Sequence, residues 1–280
     1  GDNNVAVGLN ALDVNTTGAE NTALGANALD ANTTGEKNVA IGKDALTTDT
    51  LGSRSIAIGH SSLKNQNFTS ATNSNNVAVG FFAGEDITTA VCNTIIGSQA
   101  GEKITTGSNN VAVGFDSLSS NTTAANNVAV GYLSLDENTT GATNVAMGRG
   151  SLGANTTGSC NVAIGDLALV AATTVSQNTA IGMLSMTATT SGIRNTAVGR
   201  QSMCANTTGC CNVAMGSNAL ASGTTGDFNV AVGGAALGSV NTGNCNTAIG
   251  ACAMNTNTSG ANNTAVGKSA LLANTTGTQN

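Results

Sequence analysis

The chain has 280 residues, a formal net charge of -6 from 9 basic and 15 acidic side chains, and an unusual composition with 36 Gly, no Pro, no Trp and 2% aromatic residues. The charges are scattered, which excludes the basic stripe that nucleic acid requires, and no apolar run approaches the roughly 20 residues of a membrane-spanning helix. Because 40% of the residues are hydrophobic and many are β-branched, the chain is predicted to fold rather than to remain disordered.

A repeat of 17 residues runs through the whole sequence. The motif Asn-(Val/Thr)-Ala-aliphatic-Gly occurs in sixteen copies, here called coils 1–16, and the positions within a copy are called columns 1–17. Every step is 17 residues except that coil 4 (55–75) has 21, and its four extra residues are expected to bulge as a loop. So short a period predicts one coil of a parallel β-solenoid per repeat, and we interpret 1–280 as a single array excerpted from a longer chain. The coils begin at Asn4, Asn21, Asn38, Ser55, Asn76, Asn93, Asn110, Asn127, Asn144, Asn161, Asn178, Asn195, Asn212, Asn229, Asn246 and Asn263.

The first element of each coil is a predicted strand. Column 2 is Val, Ile or Thr and column 4 is aliphatic or Met, and their spacing of two places both on one face, predicted to be the coil interior. Column 3 is Ala except at Ile95 and does not drift towards polar residues, so we predict that it meets a sister chain, most simply in a homotrimer. The alternative is packing inside a flattened single-chain solenoid. The predicted inter-chain alanines are Ala6, Ala23, Ala40, Ala57, Ala78, Ala112, Ala129, Ala146, Ala163, Ala180, Ala197, Ala214, Ala231, Ala248 and Ala265.

A glycine follows the strand in column 5 of all sixteen coils. It predicts a corner with positive φ or a very close neighbour. The next columns predict a short second strand, with Leu or Met in column 9 except at Gly84 and Gly101, and columns 12–15, mostly Asn-Thr-Thr-Gly, predict a turn. The corner glycines include Gly8, Gly25, Gly42, Gly59, Gly80, Gly97, Gly114 and Gly131.

The repeat resembles a known family. The phrases NVAVGLNA, NVAIGDLA and NTAVGKSA resemble the head repeats of YadA-like trimeric autotransporter adhesins, and NTTGxxNTAIG is similar to repeats in tail fibres of phages and fibre-like proteins of large viruses. The resemblance covers the whole chain and implies a left-handed, trimeric parallel β-roll with an adhesive or spacing role. The period here is longer than in the adhesin heads, so their loop geometry is not carried over.

The sequence predicts no enzyme, metal site or cofactor site. His60 is the only histidine, and the loop carboxylates lack the Gly-Gly-x-Gly-x-Asp pattern of calcium-binding β-rolls. The recurring glycines lack the Lys-Ser/Thr ending of a P-loop, so we interpret them as structural corners. The loop carboxylates considered are Asp13, Asp30, Glu85, Glu102 and Asp136.

The seven cysteines do not predict an intrachain disulfide framework. The closest pair in column 17 is two coils apart, about 9–10 Å by strand spacing, beyond the roughly 7 Å limit between bridged Cα atoms. We therefore predict folding in a reducing cytosol. The cysteines are Cys92, Cys160, Cys211 and Cys245 in column 17, with Cys204, Cys210 and Cys252 elsewhere.

Two surface features each have two interpretations. Phe81, Phe115 and Tyr132 share column 6, with Phe82 beside the first, and predict a receptor-contact patch unless they cover the inserted loop or a neighbouring chain. Seven asparagines begin Asn-Thr-Thr acceptor sequences for N-glycosylation, although the turn alone explains them. These asparagines are Asn15, Asn32, Asn121, Asn138, Asn155, Asn206 and Asn274.

We therefore predict a structural or adhesive fibre segment at the surface of a cell, phage or virion, which presents or forms a host-attachment surface. Its expected partners are copies of itself and a surface glycan or protein receptor, with no nucleic acid and no insertion into a membrane. The alternatives are a self-assembling extracellular filament and, less favoured, an ice-binding solenoid.

Overall fold

The computed structural model describes residues 1–239 and 242–280. The chain is all-β, and it forms a parallel β-solenoid with turns of about 17 residues, as predicted. It divides into two compact units, Gly1–Ala142 and Thr143–Asn280. No helix long and apolar enough to cross a lipid bilayer occurs in the described part of the chain.

The first unit contains a parallel sheet with one three-residue strand per coil. Strands one coil apart pair in strict register, so that Ala6 lies opposite Ala23 and Ala40 opposite Ala57. Beside the 21-residue coil, two short strands form a separate parallel pair. The main strands are β1 (Val5–Val7), β2 (Thr22–Leu24), β3 (Val39–Ile41), β5 (Ile56–Ile58), β7 (Val77–Val79), β8 (Thr94–Ile96), β9 (Val111–Val113) and β10 (Val128–Val130), and the extra pair is β4 (Gly52–Ser53) with β6 (Thr72–Asn73).

The second unit repeats this arrangement without an insertion. Its strands also pair in parallel and in register, in chain order. They are β11 (Val145–Met147), β12 (Val162–Ile164), β13 (Thr179–Ile181), β14 (Thr196–Val198), β15 (Val213–Met215), β16 (Val230–Val232), β17 (Thr247–Ile249) and β18 (Thr264–Val266).

Columns 6–11 form turns, so the predicted short second strand is wrong. Columns 7 and 9 have left-handed backbones, for example Asn27 at φ 57° and Leu29 at φ 52°, and a leucine rarely adopts this conformation. Hydrogen bonds between coils stabilise this left-handed backbone conformation. The Asn27 N–H donates to the Leu9 carbonyl at 2.8 Å, and the Leu29 N–H donates to the Ala45 carbonyl at 3.1 Å. The alternating backbone thus satisfies its polar groups without a strand.

The interior of each coil is filled by column 3 and column 9. The column 3 side chains from Ala23 to Ala248 are fully buried, and the leucines and methionines of column 9 from Leu29 to Met254 are 0–2% exposed. The prediction that the alanine column meets a sister chain is therefore wrong, and packing inside the single chain, the alternative, is correct. Columns 2 and 4, which we predicted to face the interior, lie on the outer face instead.

The physical reason is the volume available between the two walls of a coil. A leucine from column 9 leaves room for only a methyl group from the strand. Where column 9 is Gly101, the strand carries Ile95, and a Cβ added to Gly101 would lie 3.1 Å from the Ile95 Cδ1 and 2.9 Å from the Ile104 Cδ1. The isoleucines occupy the space that a column 9 leucine fills elsewhere.

The corner glycines of column 5 adopt positive φ and also approach the next coil closely. Their φ angles range from 124° to 144°. A Cβ on Gly8 would lie 2.4 Å from the Gly25 carbonyl oxygen, a distance that no real side chain tolerates. Both parts of the prediction for this column are confirmed.

Column 1 asparagines connect each coil with itself and with its neighbour. The Asn38 Nδ2 donates to the Gly52 carbonyl at 2.9 Å, which joins the start of the strand to the turn of the same coil. The Asn38 backbone N–H donates to the Asn21 Oδ1 at 3.0 Å, which joins two coils. These side chains are fully buried, and their hydrogen bonds offset the cost of removing them from water.

Candidate functional site

The outer face of the sheet is an uncovered apolar surface in each unit. We call columns 2 and 4 together the outer sheet face. They contain only Val, Ile, Leu, Met and Thr, with no charged side chain. The most exposed large side chains of this face are Val5, Val7, Leu24, Ile56 and Ile96 in the first unit and Met147, Met215, Ile249 and Val266 in the second.

The size of the outer sheet face is typical of a site of association. Eight strands spaced about 4.8 Å apart extend roughly 38 Å, and a strand of three residues is about 10 Å long, which gives roughly 400 Å² in each unit. Contiguous exposed apolar patches of a few hundred Å² or more mark interaction sites in soluble proteins. The face can therefore bury apolar area against a flat partner.

A second surface feature is an aromatic cluster formed by His60, Phe81, Phe82, Phe115 and Tyr132. The His60 and Phe81 rings stack at 5.4 Å between centroids, and Phe82 lies at 4.0 Å from Phe81 with the planes tilted by 50°. The Phe115 and Tyr132 rings stack at 5.8 Å with an interplanar angle of 16°. Phe81, Phe115 and Tyr132 are 49%, 44% and 52% exposed, so these rings face solvent in the single chain.

The four predicted patch residues therefore lie in two groups, the tilted pair Phe81 and Phe82 and the stacked pair Phe115 and Tyr132, rather than in one row. Coil 6 lies between the stacks and carries Ser98 in column 6, so one face of Phe81 and one face of Phe115 have no aromatic neighbour from that coil. Asp116 follows Phe115 and is half-buried, and burial raises the pKa of its carboxyl above the ordinary value. Among the described residues, no donor forms a hydrogen bond with that carboxylate.

A buried polar group lies beside the inserted loop of coil 4. The Gln66 Nε2 donates to the Asp49 Oδ2 at 2.6 Å and to the Ser55 Oγ at 2.8 Å, while the Asn76 Nδ2 donates to the Gln66 Oε1 at 2.8 Å. Burial raises the pKa of the Asp49 carboxyl, against the opposing effect of the hydrogen bonds from Gln66 and from the Gly52 backbone. The group replaces the regular asparagines where coil 4 departs from the repeat.

The other candidate residues of the sequence are dispersed. Glu85 pairs with Lys64 at 3.5 Å, and the described residues contain no group of three or more His, Cys, Asp or Glu side chains that could hold a metal ion. All seven cysteines are free thiols, and three of those in column 17, Cys92, Cys160 and Cys245, are exposed.

The N-glycosylation acceptor sequences are largely hidden in the folded chain. Asn32, Asn121, Asn138, Asn155 and Asn206 are 0–2% exposed. Their side-chain amides donate hydrogen bonds within the turn, as the Asn121 Nδ2 does to the Ala124 carbonyl at 3.0 Å. A buried amide nitrogen that is already a donor cannot receive a glycan, so these five sites are explained by the turn.

Two features of the aromatic region, the contact of His60 and the gap at Ser98, were not predicted from the sequence. His60 was interpreted as a lone exposed histidine without a role, yet it stacks on Phe81 because both occupy column 6 of adjacent coils. The gap at Ser98 was also readable, since it is the single small residue in column 6 between two aromatic pairs. In the interior, the large column 3 residue Ile95 occurs in the same coil as the small column 9 residue Gly101. This compensation in the sequence indicates that the side chains of columns 3 and 9 fill the same space.

Comparisons with known proteins add no relative. No protein-family model matches the sequence, and no curated protein is similar to it.

Proposed function

We propose that the chain is a segment of a structural and adhesive fibre, in which three copies associate in parallel through their outer sheet faces. The assembled segment presents or forms a surface for attachment to a host, at the exterior of a cell, phage or virion. The observation that carries this proposal is the uncovered apolar face repeated in every coil.

The chemistry of the outer sheet face favours copies of the same chain as its partner. In a parallel assembly each coil meets the equivalent coil of its neighbour, and Val, Ile, Leu and Met then pack against the same residue types. No charge opposes this contact, because columns 2 and 4 contain none. Burial of this area contributes about 25 cal/mol per Å², which favours association of matched faces.

The number of copies and the hand of the coil follow from the resemblance to YadA-like head repeats. That resemblance implies three left-handed rolls about a common axis, with the remaining surfaces free for attachment. The exposed variable columns, among them column 6 with its aromatic cluster, would supply those contacts.

A matched pair of methionine variants tests the assembly. Met215 lies on the outer sheet face and is 46% exposed, whereas Met183 lies in column 6 of the same unit and is 40% exposed. We expect the wild-type mass in native mass spectrometry to be three times the 27.2 kDa of one chain. Met215→Glu places a charge in the interface and should reduce the trimer fraction at least tenfold at equal concentration, while Met183→Glu should leave it unchanged.

Other masses would argue against the proposal. If the wild type is a monomer at micromolar concentration, or if the two variants have equal trimer fractions, the outer sheet face is not the interface between copies. For a monomer, a thermal hysteresis measurement would then decide whether the flat Val and Thr face binds ice instead.

A further inference from the structure

The two aromatic stacks of the first unit flank a gap in the aromatic side chains of column 6 at coil 6, and we call this gap the slot. His60 covers one side of Phe81, and Tyr132 covers one side of Phe115, at centroid distances of 5.4 Å and 5.8 Å. Phe81 and Phe115 lie in the coils on either side of coil 6, where Ser98 is the column 6 residue. The slot therefore has an aromatic residue on each side and the half-buried Ser98 between them.

The width of the slot fits one inserted ring. Phe81 and Phe115 are two coils apart, which corresponds to about 9.5 Å at the spacing of parallel strands. A ring midway between them would lie about 4.8 Å from each, at the near end of the roughly 4.5–7 Å range over which rings contact through their faces. Phe82 packs against Phe81 at 4.0 Å between ring centroids, which restricts the movement of the Phe81 ring.

Polar groups at the edge of the slot fit hydroxyl groups rather than an anion. Asp116 is next to Phe115 in the chain and its carboxylate has no protein donor among the described residues. Gln99 is next to Ser98, and its Nε2 donates to the Glu102 carboxylate at 3.3 Å. In coils 5–8, columns 6 and 7 contain no Lys or Arg, and the chain carries a net charge of -6, so a sialylated or sulfated ligand would be repelled.

We propose that the slot between Phe81 and Phe115 binds one pyranose ring of a neutral glycan. The C–H faces of the sugar would lie against the two rings, and its hydroxyl groups would donate to Asp116 and exchange hydrogen bonds with Ser98. An apolar wall with a few convergent polar groups is the usual composition of a small-ligand site. This inference rests on the adhesive part of the proposed function, for which it names a ligand. It does not depend on the proposed trimer, because all residues of the slot belong to one chain.

Filling the slot gives the sharpest test. The full chain would be applied to an array of neutral hexose and N-acetylhexosamine oligosaccharides with sialylated and sulfated counterparts, and the best ligand would be titrated by calorimetry. Ser98→Phe continues the aromatic column through the gap and should weaken binding at least tenfold. Ser217→Phe makes the same change in column 6 of the second unit and should bind as the wild type does.

A second variant removes one aromatic ring and keeps an apolar side chain. Phe115→Leu should also weaken binding at least tenfold, with a melting curve by circular dichroism like that of the wild type, which keeps the test valid if Ser98→Phe fails to fold. The inference is overturned if no neutral glycan binds, if acidic glycans bind better, or if a folded Ser98→Phe variant binds as the wild type does. Native masses measured on the same samples separate the two proposals, because a trimer that binds no glycan overturns the slot alone.

Discussion

Each column 1 asparagine links three backbone segments, and its two side-chain functions are assigned by the repeat. Asn212 shows this role, because its Nδ2 donates to the Gly226 carbonyl at 2.8 Å and its Oδ1 accepts the Asn229 N–H at 2.8 Å. Asparagines of column 12 form a second ladder, in which the Asn32 Nδ2 donates to the Asn15 Oδ1 at 3.0 Å. A carboxylate in this position can accept hydrogen bonds but has no N–H to donate to the asparagine of the neighbouring coil, so the ladder is interrupted there.

Asp49 interrupts the column 12 ladder and leaves the Asn32 Oδ1 buried without a partner. Asp49→Asn would supply that donor and remove a buried charge, while its one oxygen replaces the two that accept from the Gly52 N–H and the Gln66 Nε2. We expect the free energy of unfolding at pH 7 to rise by about 1 kcal/mol, measured by urea denaturation. Asp30→Asn, which changes a column 10 carboxylate of the adjacent coil, should have no such effect.

The pH dependence of this difference follows from the raised pKa of Asp49. Because the folded chain holds the proton more tightly than the unfolded chain, protonation stabilises the wild type as the pH falls. The advantage of Asp49→Asn should therefore be complete at neutral pH. It should shrink as the pH falls through the raised folded-state pKa towards the ordinary value of 3.8. An advantage that stays constant from pH 7 to pH 4 would contradict the buried charge as its cause.

At the scale of the coil, stability depends on a constant interior volume shared between columns. Coil 6 has exchanged a column 9 leucine for Gly101 and carries Ile95 and Ile104 in its place. All three sites are buried, and the δ carbons of both isoleucines approach the glycine. The exchange conserves volume, which packed interiors tolerate better than any single change of size.

This compensation predicts non-additive mutations. Gly101→Leu should overpack the coil and cost about 1–3 kcal/mol, and Ile104→Ala should leave a cavity that costs about 2–5 kcal/mol. The double variant should lose about 1–3 kcal/mol less than the sum of these two losses, as measured by denaturant unfolding. Gly101→Leu combined with Ile41→Ala, a distant residue of the outer sheet face, should be additive, and additivity in both pairs would disprove the shared volume.

The sequence predicts the position of the strand in each coil but not which face of that strand points into the coil. The 17-residue register places the first strand of each coil and every corner glycine correctly, because those features depend on local residue types. Period-two alternation shows that columns 2 and 4 share a face without saying which face is inside. The larger side chains were assigned to the interior, but the column 9 leucines already occupy that space. The turn of columns 6–11 was missed because left-handed leucines have no local sequence signal.

At the scale of the whole molecule, the chain is a series of interchangeable coils within each unit. Each coil contacts its neighbours through the same backbone and side-chain hydrogen bonds, as in the pairing of Asn195 with Asn178 and of Asn178 with Asn161. Stability in such arrays is a sum of coil and interface contributions. Removal of one complete coil should therefore preserve the register of its neighbours.

Deletion of coil 11 (178–194) tests this modularity. Joining coil 10 to coil 12 lets the Asn195 N–H donate to the Asn161 Oδ1, so we expect a cooperative melt by circular dichroism with a midpoint within about 5 °C of the wild type. Deletion of only 178–185 places outward columns in the interior and should abolish the folded signal. Unfolding by the longer deletion together with tolerance of the shorter one would refute the coil as the unit.

The buried asparagine ladders also affect how the chain ages. Asparagine loses its amide when the following backbone nitrogen attacks the side-chain carbonyl, a reaction that requires a mobile and hydrated turn. In the column 1 ladder the amide of Asn195 is buried, its nitrogen donates to the Gly209 carbonyl of the same coil, and its oxygen accepts the Asn212 N–H of the next coil. Asparagines held in this way are protected from deamidation, and the proposed role at an exterior surface would require such durability.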